Sequence, residues 1–116
     1  MEKRRGRRFR IDRCVLVTGP DGEILRAATT DLSSWGMGIL SPRPYDPGDE
    51  LRLRFQLSVN GDAQDVALAA QVKHRRLSRD LHALGLEFTE VEAGAREIIS
   101  AFLRFRERLW RTTTYL

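Results

Sequence analysis

The most constraining feature of this sequence is the strict alternation of apolar and polar residues from position 50 to position 57. Leucine or phenylalanine occupies every second position, and charged or amide side chains occupy the positions between them. Because successive side chains of a β-strand point to opposite faces, this pattern predicts a strand with one buried and one exposed face. Asn60-Gly61 follows and predicts a hairpin turn. Residues 65–74 are therefore expected to form the partner strand.

Four further segments have the composition of short strands, and turn-forming sequences rich in glycine, proline and aspartate separate them. These segments are residues 11–18, 23–30, 35–40 and 81–88. In the third segment the two-residue period of a strand predicts Trp35, Met37 and Ile39 on one face. From residue 90 to residue 110 the apolar residues recur at helical spacing instead. The predicted fold is all-β: a six-stranded antiparallel barrel, split and Greek-key-like, with a C-terminal covering α-helix at about residues 91–111.

The composition excludes several classes of protein. The chain has 116 residues, enough for one domain with a modest core. No apolar run reaches about 18 residues, and no apolar stretch follows the basic start, so we expect neither a transmembrane helix nor a secretory signal. Cys14 is the only cysteine, which excludes an intrachain disulfide and fits a cytoplasmic location. We interpret Cys14 as a small core residue.

Signatures of catalysis are weak. His74 and His82 are the only histidines, and no second thiol or carboxylate cluster at metal spacing accompanies them. The nucleophile elbow of hydrolases and the phosphate-binding loop of nucleotide hydrolases do not occur. We therefore predict that the protein is not an enzyme and that it needs no metal or cofactor.

Positive charge is concentrated at the start of the chain. Residues 1–10 contain six basic residues and one acidic residue, whereas the formal net charge of the whole chain is +4. We predict that residues 1–10 form a flexible basic arm and that residues 11–116 form a single domain. A solvated tail that only aids solubility is the alternative interpretation of the arm.

A polar hexapeptide at residues 31–36 separates the second and third predicted strands. It supplies a carboxylate, two hydroxyl groups and a glycine. If Pro20 and Asp21 form the centre of the preceding turn, Asp31 lies opposite Arg10, at the base of the arm. A carboxylate, hydroxyls and several guanidinium groups at one place suit a ligand that carries phosphates and polar base edges.

Arg4-x-x-x-Arg8 followed by Asp31-x-Ser33-x-x-Gly36 resembles the paired signature of the PilZ domain family, the bacterial receptors for cyclic di-GMP. The resemblance covers the arm, the strands and the closing helix. The combination is specific, because Asp-x-Ser-x-x-Gly occurs once in this chain. The arginine pair alone is not, because the same spacing recurs twice, at Arg75/Arg79 and Arg104/Arg108.

The resemblance implies a receptor whose arm closes over cyclic di-GMP and changes a surface that a downstream protein recognises. It implies six ligand-binding residues: Arg4, Arg5, Arg8, Asp31, Ser33 and Gly36. In this interpretation the arginines bind phosphates or stack on guanines, and Asp31 accepts hydrogen bonds from a guanine edge or holds an arginine in place. Ser33 donates a hydrogen bond to the ligand, and Gly36 leaves room for a base. We expect micromolar to submicromolar affinity and an arm that is mobile without ligand, because ordering a residue costs roughly 1–2 kcal/mol.

Two other functions remain open at this point. The first is a small-barrel nucleic-acid-binding protein with a basic arm, although Phe9 is the only aromatic residue of the arm that could stack on a base. The second is a PilZ-fold adaptor that binds no nucleotide. The last helical turn could in addition form a protein-binding surface with Leu109, Trp110 and Tyr115, whereas burial in the core is the simpler explanation of the helical apolar stripe.

Overall fold

The computed structural model describes residues 7–114, with side chains described as far as Arg111. The described residues form seven β-strands and one α-helix. In chain order these are β1 (Phe9–Arg10), β2 (Cys14–Thr18), β3 (Ile24–Leu32), β4 (Gly36–Ser41), β5 (Glu50–Val59), β6 (Asp62–Ser78), β7 (Leu81–Glu90) and α1 (Ala93–Thr114). The division of the chain into an arm and a single domain stays a prediction.

Six of the strands form a closed antiparallel barrel. They pair in the order β3-β2-β5-β6-β7-β4, and β4 pairs back with β3. The hairpin-linked strands β2, β3 and β4 are adjacent, and β5 returns to lie beside β2, which is a Greek key. The predicted fold class is therefore confirmed, with β1 as an additional short strand on β3.

The interior of the barrel follows the alternation in the sequence. Along β5 the apolar residues are buried and the polar residues between them are exposed, as predicted. Helix α1 contacts β5 and β6, and Ile99, Phe102 and Leu103 are almost fully buried there. The outer half of α1 differs, because Phe105, Leu109 and Trp110 remain about half exposed. Tyr115 lies outside the described residues.

Two predictions about individual side chains are wrong. Cys14 is exposed, because it occupies an outward position of β2, whose buried residues are Val15 and Val17. Trp35, expected on the same face as Met37, is 45% exposed. It precedes β4 and lies in the turn, where the two-residue period of a strand does not apply.

Arg10 pairs with Asp31 as predicted, although the hairpin register differs by one residue over β2, where Cys14 pairs with Ala28. The effects of two irregularities on the pairing register cancel at Arg10. Gly22, at φ +86°, adds a residue to the β2–β3 turn. The connection from β1 to β2 has one residue more than the opposite segment of β3, which restores the predicted register. Such bulges re-aim a strand without ending its pairing.

No helix in residues 7–114 has both the length and the apolar character that crossing a bilayer requires.

Replacing Phe102 by alanine should lower the free energy of unfolding by about 3–5 kcal/mol, because it leaves a cavity between α1 and the barrel. Phe105→Ala is the matched control, and its loss should be about 1 kcal/mol, because that ring is half exposed. Urea denaturation measures both. Equal losses would show that α1 does not pack on the barrel through Phe102.

Candidate functional site

The hydroxyl group of Ser33 holds together the turn between β3 and β4. Its Oγ accepts hydrogen bonds from the backbone N–H groups of Trp35 and Gly36, both at 3.2 Å. The Ser33 hydroxyl donates to the carbonyl oxygen of Gly36 at 3.3 Å, and the backbone N–H of Ser33 donates to the same oxygen at 2.9 Å. Ser33 is 3% exposed, so its hydroxyl is committed to the turn.

Gly36 is required by the barrel itself. A Cβ atom at this position would overlap the backbone carbonyl oxygen of Leu86 on the adjacent strand β7. The absence of a side chain therefore permits the close approach of β4 to β7, whether or not a ligand is present.

Asp31 and Arg8 meet at the outer surface beside this turn. Arg8 Nη2 lies 3.3 Å from Asp31 Oδ1, and Arg8 Nη1 donates to Ser33 Oγ at 3.4 Å. Asp31 Oδ1 also accepts from the backbone N–H of Gly38 at 3.1 Å, beside the bulge that interrupts the β3–β4 register. The guanidinium group of Arg8 is thus directed by one carboxylate and one hydroxyl, and about half of its side chain remains exposed.

The Arg8–Asp31 pair lies at the edge of a wide open groove of about 1070 Å³, which we call the site groove. Its lining comes from β1 and the residue before it, from the connection between β1 and β2, and from β3, β4, β6, β7 and α1. It contains five arginines and two aspartates: Arg8, Arg10, Arg13, Arg76, Arg106, Asp12 and Asp31. Ligand pockets commonly measure about 300–1,000 Å³, so the site groove has room for a dinucleotide.

The structure brings together four of the six predicted ligand-binding residues: Arg8, Asp31, Ser33 and Gly36. Arg4 and Arg5 lie outside the described residues. Of the four, Arg8 and Asp31 line the groove, whereas Ser33 and Gly36 form the turn behind them.

Sequence reasoning missed the arginines that other elements contribute to the groove. Arg76 lies beyond the partner strand predicted at residues 65–74, but β6 continues to Ser78 and pairs Arg76 with Ala83. Arg106 reaches the groove from α1, and its Nη2 donates to the carbonyl oxygen of Arg10 at 2.8 Å. Arg76 could have been found by extending the strand pattern past residue 74. Nothing in the local sequence of α1 marks Arg106.

Among the described residues, no group of three or more histidine, cysteine, aspartate or glutamate side chains is arranged to hold a metal ion. The polar side chains of the site groove are guanidinium groups, carboxylates and the hydroxyls of Thr29, Thr30 and Ser78. Guanidinium groups bind phosphate oxygens in pairs and stack on flat rings, which makes the groove suitable for a phosphate-containing ligand with aromatic bases.

The fold and the groove define a small Greek-key barrel with an arginine-rich groove beside the β3–β4 turn. Comparison with protein families identifies this arrangement: residues 2–105 match the family model described as PilZ domain. The chain belongs to the PilZ domain family. A comparison with curated protein sequences gave no match.

Solved structures share the fold. The Bacillus subtilis inhibitor of motility MotI/DgrA superposes with a TM-score of 0.80 and 18% identity, covering 92% of this chain and 52% of its own. The PilZ domain of Escherichia coli YcgR, solved with c-di-GMP (cyclic di-GMP), gives a TM-score of 0.70 and 18% identity, covering 97% of this chain and 98% of its own. The K. pneumonia MrkH–c-di-GMP complex gives a TM-score of 0.68 and 14% identity, covering 100% of this chain and 57% of its own. The chain therefore spans about half of MotI/DgrA and of MrkH, and nearly all of the YcgR domain.

Ser33→Ala should lower the free energy of unfolding by about 1–3 kcal/mol, because the backbone N–H groups of Trp35 and Gly36 lose their acceptor. Ser34→Ala is the matched control, because no hydrogen bond of the Ser34 hydroxyl occurs within the described residues, and it should change stability by less than about 0.5 kcal/mol. Chemical denaturation of the two variants measures the difference. A Ser33→Ala protein as stable as the parent would contradict the proposed role of the hydroxyl.

Proposed function

We propose that this protein is a cytoplasmic receptor for cyclic di-GMP that acts through ligand binding alone and catalyses no reaction. The observation that carries the proposal is the contact of Arg8 with Asp31 and Ser33 at the edge of a groove lined by five arginines. Membership of the PilZ domain family supports it, as does the fold shared with the YcgR domain that was solved with c-di-GMP.

The ligand's chemistry matches the lining of the site groove. Cyclic di-GMP has two phosphates and two guanines, and arginine binds both, through paired hydrogen bonds to phosphate oxygens and by stacking on rings. In the proposed complex, Arg8 binds the ligand from the side of the groove where β1 lies, and Arg76 binds it from β6. Arg4 and Arg5 bind it from the arm.

Asp31 has capacity left for a guanine edge. Its Oδ1 already accepts a hydrogen bond from the N–H of Gly38 and forms an ion pair with Arg8. No hydrogen bond to its Oδ2 occurs within the described residues. The side chain is 35% exposed. We assign Asp31 two roles: it directs Arg8 and accepts from guanine N–H groups.

Ser33 and Gly36 act on the ligand indirectly in this proposal. The single hydroxyl proton of Ser33 is donated to the Gly36 carbonyl, so donation to a ligand would remove one of the hydrogen bonds that hold the turn. We therefore propose that Ser33 positions Arg8 and that Gly36 allows the turn to form against β7. This differs from the direct contacts that the family signature alone implies for both residues.

Arg8→Ala should weaken binding of cyclic di-GMP about tenfold to a hundredfold, because a charge-assisted hydrogen bond contributes roughly 1.5–3 kcal/mol. Adding Arg4→Ala should weaken it further. Arg26→Ala is the control, because Arg26 is an exposed arginine of β3 that does not line the site groove. Isothermal titration calorimetry measures all three variants and the parent.

Undetectable binding by the parent protein would refute the receptor function. Salt-dependent binding to long single-stranded nucleic acid that excess dinucleotide does not displace would support the nucleic-acid alternative instead.

Arg76→Ala should also weaken cyclic di-GMP binding by about tenfold, because Arg76 lines the site groove from β6. Arg76 belongs to neither of the two motifs described above. The same calorimetric titration tests it against Arg26→Ala. An Arg76→Ala protein with the parent's affinity would restrict the binding site to the arm and the β3–β4 turn.

A further inference from the structure

A second basic groove, of about 360 Å³, lies between the β5–β6 turn and the outer half of α1; we call it the helix groove. One wall is the turn with Asn60 and Gly61, both at positive φ. The other wall is α1. The residues that line it are Arg13, Ser58, Val59, Asn60, Gly61, Ala101, Phe102, Arg104, Phe105, Arg106 and Arg108.

The charge of the helix groove is uncompensated. Four of its lining residues are arginines, and none is a carboxylate. Within the described residues, Arg13, Arg104, Arg106 and Arg108 form no ion pair, whereas the next arginine of the helix, Arg111, pairs with Glu107. Arg104 and Arg108 are four residues apart on α1, so they share one face of the helix.

The groove also presents apolar surface between its charges. Phe105 is 50% exposed, and Val59 and Ala101 are partly exposed beside it. An extended acidic peptide with interspersed apolar residues could pair its carboxylates with the guanidinium groups and cover the ring of Phe105. Single-stranded nucleic acid fits less well, because it needs successive aromatic rings for base stacking, and Phe105 is the only exposed ring among the lining residues.

We propose that the helix groove binds an acidic segment of a partner protein. The carboxylates of that segment bind Arg104 and Arg108, and its apolar side chains pack on Phe105 and Val59. This assigns a function to the Arg104/Arg108 pair, which the site groove does not use.

The two grooves share residues, which couples them. Arg13 and Arg106 line both, and Arg106 is fixed between them by its hydrogen bond to the Arg10 carbonyl. A dianionic ligand in the site groove would pair with the guanidinium groups of Arg13 and Arg106. Its negative charge would also repel an acidic segment in the helix groove. This part of the inference rests on the proposed function: cyclic di-GMP should weaken binding of the acidic segment, and by reciprocity the segment should weaken binding of cyclic di-GMP.

Fluorescence anisotropy with a labelled peptide of repeated Glu-Glu-Leu triplets tests the helix groove without any nucleotide. The parent protein should bind the peptide at low salt, and more weakly as salt rises. The double variant Arg104→Gln plus Arg108→Gln should lose about tenfold in affinity, because two binding charges are removed. Glutamine keeps a high helix propensity, and circular dichroism verifies that α1 remains.

Arg52→Gln plus Arg54→Gln is the matched control, with the same change in net charge at exposed positions of β5 outside both grooves. Its affinity for the peptide should stay within about twofold of the parent's. Equal losses in both double variants would overturn the proposal, because only the total charge would then matter. The proposal would also be overturned if the parent protein bound oligo(dT) more tightly than the peptide. It would equally be overturned if the parent bound anionic vesicles more tightly than the peptide and the Arg104/Arg108 variant lost that vesicle binding.

Adding saturating cyclic di-GMP should weaken peptide binding about threefold to tenfold. Unchanged peptide affinity in a protein that binds the dinucleotide would refute the coupling while leaving the peptide-binding groove in place. A protein that binds the peptide but no dinucleotide would refute the proposed receptor function alone, so the two failures are distinguishable.

Discussion

The hydrogen bonds of the Ser33 hydroxyl are the interaction on which the site depends. They close the turn between β3 and β4, and those two strands close the barrel. The same oxygen accepts from Arg8. One buried side chain therefore connects the closure of the barrel with the position of the first arginine at the groove. A small polar residue is needed here because the backbone N–H groups of the turn require an acceptor.

Strand β3 carries this arrangement because it pairs with three other strands, β1, β2 and β4. Because the register shifts at Thr30, the backbone N–H of Gly38 is available to donate its hydrogen bond to the carboxylate of Asp31. A regular ladder would use that donor between backbones, so Asp31 would lack a fixed position. The bulge thus fixes the position of the Asp31 carboxylate beside the guanidinium group of Arg8.

The charge distribution has a consequence for signalling. The arginines of the site groove come from the start of the chain, β6 and α1, so a bound dianion would connect elements that are distant in sequence. Arg106 already connects α1 with β1 through the Arg10 carbonyl, and Arg7 lies over the ring of Trp110 at 4.3 Å. Any ligand that repositions residues 7–10 changes the surroundings of the outer half of α1, where exposed apolar and basic side chains lie together.

The sequence alone determined the barrel and the place of the site. The alternation in residues 50–57, the turn sequences and the change to helical spacing each depend on local backbone geometry, which nearby residues control. The pairing of Arg10 with Asp31 also followed from the sequence, although two bulges that no local pattern revealed happen to cancel. Only the tertiary structure decided that Ser33 and Gly36 support the turn, that Trp35 and Cys14 face outward, and that Arg76 and Arg106 complete the groove. These outcomes depend on which strands and which helix face become neighbours across the barrel, and contacts between residues far apart in the chain leave no periodic signal in the sequence.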